Sequence, residues 1–128
     1  MQHIVLDTNS LIMAISSRNR YFLQGDYILC ITNEIVEEYH EVIARNINKQ
    51  VAEAIVYVIL ARNNVKRLAP HFHFHLIEAD EDDNKFVDCA IAANARYIVT
   101  EDHHFDVLKK IPFHSVAVIS IDDFLKEL

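Results

Sequence analysis

The sequence predicts an α/β protein: a three-layer arrangement in which a five-stranded parallel sheet is covered by helices on both faces. Two observations support this. Short runs rich in Ile, Val and Tyr recur at HIVL (3–6), YILCI (27–31), VKRL (65–68), YIVT (97–100) and VAVIS (116–120), and the segments between them have helical periodicity. Strands that alternate with helices join through right-handed crossovers, which makes neighbouring strands parallel and places helices over the sheet.

The elements follow in order. HIVL reads as a buried strand that stops at Asp7, and the polar Thr8, Asn9 and Ser10 open a helix. After the second strand, NEIVEEYHEVIARNIN sets Ile35, Val36, Tyr39, Val42 and Ile43 on one face. QVAEAIVYVILAR is apolar enough to be a largely buried helix. Beyond the third strand, Pro70 breaks any helix in LAPHFHFHLIEAD, and the length of this irregular stretch suggests a functional loop. Its HFHFH core reads as extended backbone with His71, His73 and His75 on one side, either a metal strip or a strand packing Phe72 and Phe74 inward. DNKFVDCAIAANA and HFDVLKK are further helices, and IDDFLKEL closes the chain with Asp122 and Asp123 as caps.

With 128 residues, 52% hydrophobic and 24% charged, the chain fits one globular domain spanning 1–128. No apolar run is long enough to cross a bilayer, and the N-terminus has neither the basic nor the apolar region of a signal peptide, so a cytoplasmic protein is expected. Cys30 and Cys89 fall in apolar surroundings and read as reduced, buried thiols. A net charge of −7 argues against an extended basic nucleic-acid surface. Gly25 is the sole glycine, which excludes a P-loop, a dinucleotide G-x-G-x-x-G turn and a G-x-S-x-G nucleophile elbow.

In open parallel sheets, ligands bind beyond the carboxyl ends of the strands. Here the strand ends deliver Asp7, then the helix bearing Glu34, Glu37 and Glu38, then the run Asp80, Glu81, Asp82, Asp83, and finally Glu101 and Asp102. Periodicity selects among neighbours. Glu38 lies between Ile35 and Val42, whereas Glu37 sits with Glu34 and Glu41 on the polar side; Asp83 continues the stripe of Phe86, Val87, Ala90 and Ile91, while Asp82 and Asp88 turn away from it. Each acid alone also fits a helix N-cap. Crowded together, they repel unless a cation lies among them, and carboxylate donors without histidine or thiolate suit Mg2+ or Mn2+ better than zinc.

The ordered segments IVLDTN, EIVEEYHEVI, DEDDNKFVDCAIAANA and YIVTEDHHF resemble the signature of the PIN-domain family, in particular its stand-alone bacterial VapC-like toxins of toxin–antitoxin pairs. The resemblance implies a Mg2+- or Mn2+-dependent ribonuclease with Asp7, Glu38, Asp83 and Asp102 as catalytic metal ligands and Asn9, Asp80 and Thr100 as accessory positions. The run of acids leaves the third position open to sharing with Asp80 or replacement by Asp82. RNA is the implied substrate, an antitoxin the implied partner, and a homodimer the implied assembly, with the apolar helix at 51–60 as a contributor to its interface. Arg18, Arg20 and Lys85 are candidate phosphate contacts, and His103 or His104 a candidate substrate contact. A receiver-type Mg2+-binding phosphoacceptor domain is the rival from another class. It calls for paired acids after the first strand and a lysine after the fifth, where this chain has Asp7 alone and Ser120-Ile121-Asp122. A dehalogenase-like phosphatase needs an Asp where Asn9 stands. A PIN-like RNA- or partner-binding module without turnover is the third reading.

Overall fold

The computed structural model describes residues 1–16, 25–111 and 116–128. Its elements are β1 (Gln2–Leu6), α1 (Thr8–Ser16), β2 (Tyr27–Ile31), α2 (Asn33–Asn46), α3 (Lys49–Ala61), β3 (Val65–Arg67), α4 (Asn84–Ala93), β4 (Tyr97–Val99), β5 (Ala117–Ile119) and α5 (Ile121–Glu127). A 3₁₀ turn at Glu81–Asp83 precedes α4, and a 3₁₀ helix at His103–Lys110 follows β4.

The five strands form one parallel sheet in the order β3-β2-β1-β4-β5, as expected. β1 is central: Ile4 is in register with Leu29 on one side and Tyr97 on the other. Its successive Ile4, Val5 and Leu6 are all fully buried, so both faces of the sheet are covered. The β2 to β3 crossover steps away from β1, and the β3 to β4 crossover returns past it. Right-handed connections therefore put α2 and α3 on one face and α4 on the other. The strand order reverses between β1 and β4, where a ligand crevice belongs in an open sheet.

α2 starts where Thr32 accepts a bond from the Ile35 amide, and it buries Ile35, Tyr39 and Ile43 at four-residue intervals. The Tyr39 hydroxyl donates to the Leu6 carbonyl at 2.5 Å, which ties this helix to the end of β1. α3 departs from expectation. It buries only Ala52 and Ile59, and Tyr57, Val58 and Leu60 are exposed, because it packs on α2 along a narrow stripe. α4 buries Phe86, Val87 and Ala90 and ends at Asn94 in the left-handed region (φ 51°), a role glycine usually takes. At α5 the cap is Ser120, whose hydroxyl oxygen accepts from the Asp123 amide; Asp122 and Asp123 occupy the first turn instead of capping it.

The 68–79 segment also corrects the sequence reading. HFHFH is not a strand: His75 is left-handed (φ 51°), and Phe72 and Phe74 are exposed at 73% and 36%. Asp88, expected to face outward, is only 4% exposed, because this loop folds over it. Its carboxylate accepts from the Phe74 amide at 3.0 Å and lies 3.2 Å from His73 Nδ1. Asn84 bonds both the amide and the carbonyl of Ile77 at 2.8 Å. Asn84→Ala would leave that buried peptide unpaired and should lower stability by about 2–4 kcal/mol in urea unfolding, with early proteolytic cutting in 70–79. Unchanged unfolding would show that this clamp is dispensable.

Candidate active site

Asp7 leaves β1 with its backbone amide bonded to the Val99 carbonyl at the end of β4. One carboxylate oxygen accepts from the Ser10 amide at 2.8 Å, so Asp7 caps α1, and the other accepts from the Thr100 hydroxyl. The capping and functional readings thus describe the same fixed side chain. Thr100 Oγ1 also accepts from the Asp102 amide at 2.9 Å, so one threonine joins the acids that follow β1 and β4. Asp102 in turn accepts from the His104 amide and caps the 3₁₀ helix.

Asp83, in the turn before α4, comes from the other side of the crevice. Its carboxylate lies 3.1 Å from His104 Nδ1, and Asp102 lies 3.4 Å from the same nitrogen. Ligand atoms of Asp80, Asp83 and His104 all fall within 4.8 Å of one another, the one such group of potential metal ligands among the described residues. Asp82 is exposed, and its amide bonds Asp80 Oδ1 at 3.0 Å, so the neighbour that joins Asp83 is Asp80.

Glu38 is held separately. One oxygen accepts from the Thr8 hydroxyl, and the other pairs with Lys85 Nζ at 2.8 Å, with both side chains largely shielded from solvent. Lys85 therefore neutralises a carboxylate and is not a free phosphate contact. Asn9 is exposed on the first turn of α1. Arg18 and Arg20 lie outside the described residues. His71 and His75 are exposed, and His75 lies 3.3 Å from Glu81.

The electrostatics follow from this placement. Burial pushes the Asp7 carboxyl above its ordinary pKa against the lowering effect of its hydrogen bonds to Thr100 and Ser10, and Asp102 raises it further. Burial likewise pushes Asp83 up to about 6, with Asp102 and Asp80 adding repulsion and His104 opposing it. The bond to Asp83 raises the His104 ring above the usual histidine value. Sequence reading missed Thr8 as part of this arrangement and left His103 and His104 as equal candidates for a substrate contact. Thr8 carried no periodic signal, and His104 was indistinguishable from His103 until the 3₁₀ helix turned it back toward Asp83.

Residues 3–104 match the sequence pattern of the PIN domain. The chain belongs to the PIN-domain family. Solved structures share its fold. The Rickettsia felis VapBC2 structure, bound to a DNA fragment from its promoter, aligns with a TM-score of 0.64 and 17% identity over 91% of this chain and 98% of the other. Mycobacterium tuberculosis VapC20, a sarcin–ricin loop cleaving toxin, aligns at 0.59 and 13% over 88% and 98%. The PIN domain of Trypanosoma brucei RRP44 aligns at 0.59 and 12% over 97% and 79%. No curated protein matches the sequence. Membership of the PIN family sets aside the receiver reading. Among the described residues no helix is long and apolar enough to cross a membrane.

Proposed function

We propose that this PIN-domain protein is a Mg2+- or Mn2+-dependent ribonuclease that hydrolyses RNA phosphodiester bonds, as the toxin of a toxin–antitoxin pair. The supporting observation is geometric: at the reversal of strand order Thr100 joins Asp7 to Asp102, and His104 lies within 3.4 Å of both Asp102 and Asp83, so three carboxylates from separate elements meet at one edge. In this reading Asp7, Glu38, Asp83 and Asp102 hold the metal, with Asn9, Asp80 and Thr100 as accessory residues. The donor set fits a hard divalent ion: carboxylate oxygens predominate, and the one imidazole beside them belongs to His104. When bound, the ion would offset the clustered charge and lower the pKa of a coordinated water.

The chain's own residues fix the geometry. Ser10 and Thr100 leave Asp7 little freedom to rotate, and Thr100 sets the spacing between Asp7 and Asp102. His104 stands within reach of both Asp83 and Asp102 and so holds the two carboxylates together across the crevice. Glu38 meets the cation only by sharing it with, or releasing, Lys85. An antitoxin or a second copy of the chain would cover apolar surface such as exposed Tyr57, Val58 and Leu60 on α3.

The test is cleavage of mixed RNAs by purified protein with Mg2+, Mn2+ or excess chelator. Cleavage that requires the ion and stops with chelator is expected; none with either ion would overturn the reading. A pH series adds a second check. Because the folded Asp83 pKa is raised to about 6, the metal-free folded state keeps a proton there that the unfolded chain loses near 4. This group's contribution to metal-free stability therefore grows as pH falls through 6. Mn2+ must displace the same proton, so its affinity should fall over the same window. Calorimetric Mn2+ affinity that stays flat from pH 7 to 5 would remove Asp83 from the ligand set.

A further inference from the structure

The ion pair between Glu38 on α2 and Lys85 on α4 differs from the other lysine and arginine pairs among the described residues. Those lie at 3.4–3.8 Å between side chains that are at least half exposed. Lys85 Nζ is 2.8 Å from Glu38 Oε1, and only 15% and 23% of the two side chains is exposed. The ammonium also stands 5.8 Å from the centre of the buried Phe86 ring, within cation–π reach, so it is held from two sides. The other Glu38 oxygen accepts from the hydroxyl of Thr8, the neighbour of Asp7, and Lys85 follows Asp83 by two residues. The pair is therefore fixed at a corner of the acidic edge. An open cleft of about 350 Å3 reaches it, lined also by Glu34, Glu37, Glu41 and Asp82. The other cation of that cleft, Arg45, is exposed and paired with Glu41. Lys85 is thus the shielded positive charge in a strongly acidic cleft.

We infer that Lys85 is a positioning residue that stays on Glu38 as a resident counter-charge and closes this corner to a second divalent ion, so that the site takes one; the inference rests on the metal-dependent reading above. A two-ion site sets its ions about 4 Å apart and needs carboxylates to stabilise both. An ionised carboxylate has about four lone-pair sites, of which Thr8 and Lys85 each take one at Glu38. Glu38 can then share Lys85 with one ion. A further divalent charge drawn into the same corner meets an ammonium that is shielded from solvent, where repulsion is screened little.

The experiment counts Mn2+ on the full-length protein by calorimetric titration. Electron paramagnetic resonance of the saturated sample separates an isolated Mn2+ from a coupled pair. Wild type should take one uncoupled ion. Lys85→Gln, which keeps a donor for Glu38 but no charge, should take two and show coupling, and Lys85→Arg should return to one. Lys49→Gln removes the same charge from an exposed pair on α3 and should leave the count at one. Circular dichroism verifies folding, and Lys85→Met, apolar toward Phe86, serves in place of Lys85→Gln if the latter does not fold. Two ions on wild type, one ion on the neutral Lys85 variant, or a second ion on Lys49→Gln each overturns the inference. Wild type that takes no Mn2+ overturns it together with the metal reading. The expected counts in a protein that cuts no RNA would keep the role of Lys85 and remove the nuclease.

Discussion

Asp7→Asn should leave a folded protein whose Mn2+-dependent RNA cleavage has fallen on the order of a thousandfold. Asparagine keeps the carbonyl oxygen that accepts from the Ser10 amide and caps a helix about as well as Asp, but its amide nitrogen cannot accept from the Thr100 hydroxyl, so the structural cost is about 1 kcal/mol. What disappears is the negative charge at the centre of the edge. Because burial already raises the Asp7 pKa, removing the charge relieves a penalty at neutral pH that offsets this cost, and the metal-free variant should melt near the wild-type temperature. Asp88→Asn is an unsuitable control, since that carboxylate is buried and braces the aromatic loop. Glu53→Gln, an exposed acid on α3 paired with Lys49, is the appropriate one and should cut RNA normally. Wild-type cleavage rates in Asp7→Asn, with contaminating ribonuclease excluded, would sink the nuclease assignment.

Millimolar Mn2+ should raise the melting temperature of the wild type and leave that of Asp7→Asn nearly unchanged. A ligand at tenfold its Kd adds about 1.4 kcal/mol by mass action, or roughly 5 °C for a domain of this size. Repulsion among Asp7, Asp83, Asp80 and Asp102 is the reservoir that the ion relieves. Mg2+ should act in the same direction. A melting curve that ignores both ions at neutral pH would mean that no preassembled site exists, whatever the RNA assays show.

β1, β2 and β4 were legible almost residue by residue, because strands buried on both faces announce themselves as unbroken apolar runs: YILCI is β2 from end to end. The choice of Glu38 over Glu37 also agrees with the structure, since α2 turns one side chain toward Thr8 and Lys85 and the other into solvent. Burial away from the sheet was harder to read. The composition of α3 suggested a core helix, but composition does not reveal how much surface its neighbour leaves to cover. Asp88 looked solvent-facing on a helical wheel, which contains no information about a loop arriving from ten or more residues upstream. The same limit hid the partners of Thr8 and His104, which are 30 and 21 residues away in sequence.

Thr100 donates to Asp7 across 93 positions of sequence, and β1 gains its second neighbour only when β4 exists. Until then the first strand is an apolar segment with one flank open, and loop closure over that distance must precede the contacts that reward it. Synthesis proceeds at about 5–20 residues per second, so a nascent chain spends several seconds with Asp7 made and Thr100 and Asp102 still unmade. For that interval the polypeptide holds half of each acid pair and no crevice between them. If the chain is the nuclease proposed, its own translation is protected by connectivity alone: the ribosome must deliver the Thr100–Asp102 stretch before an RNA-cutting edge can close beside it.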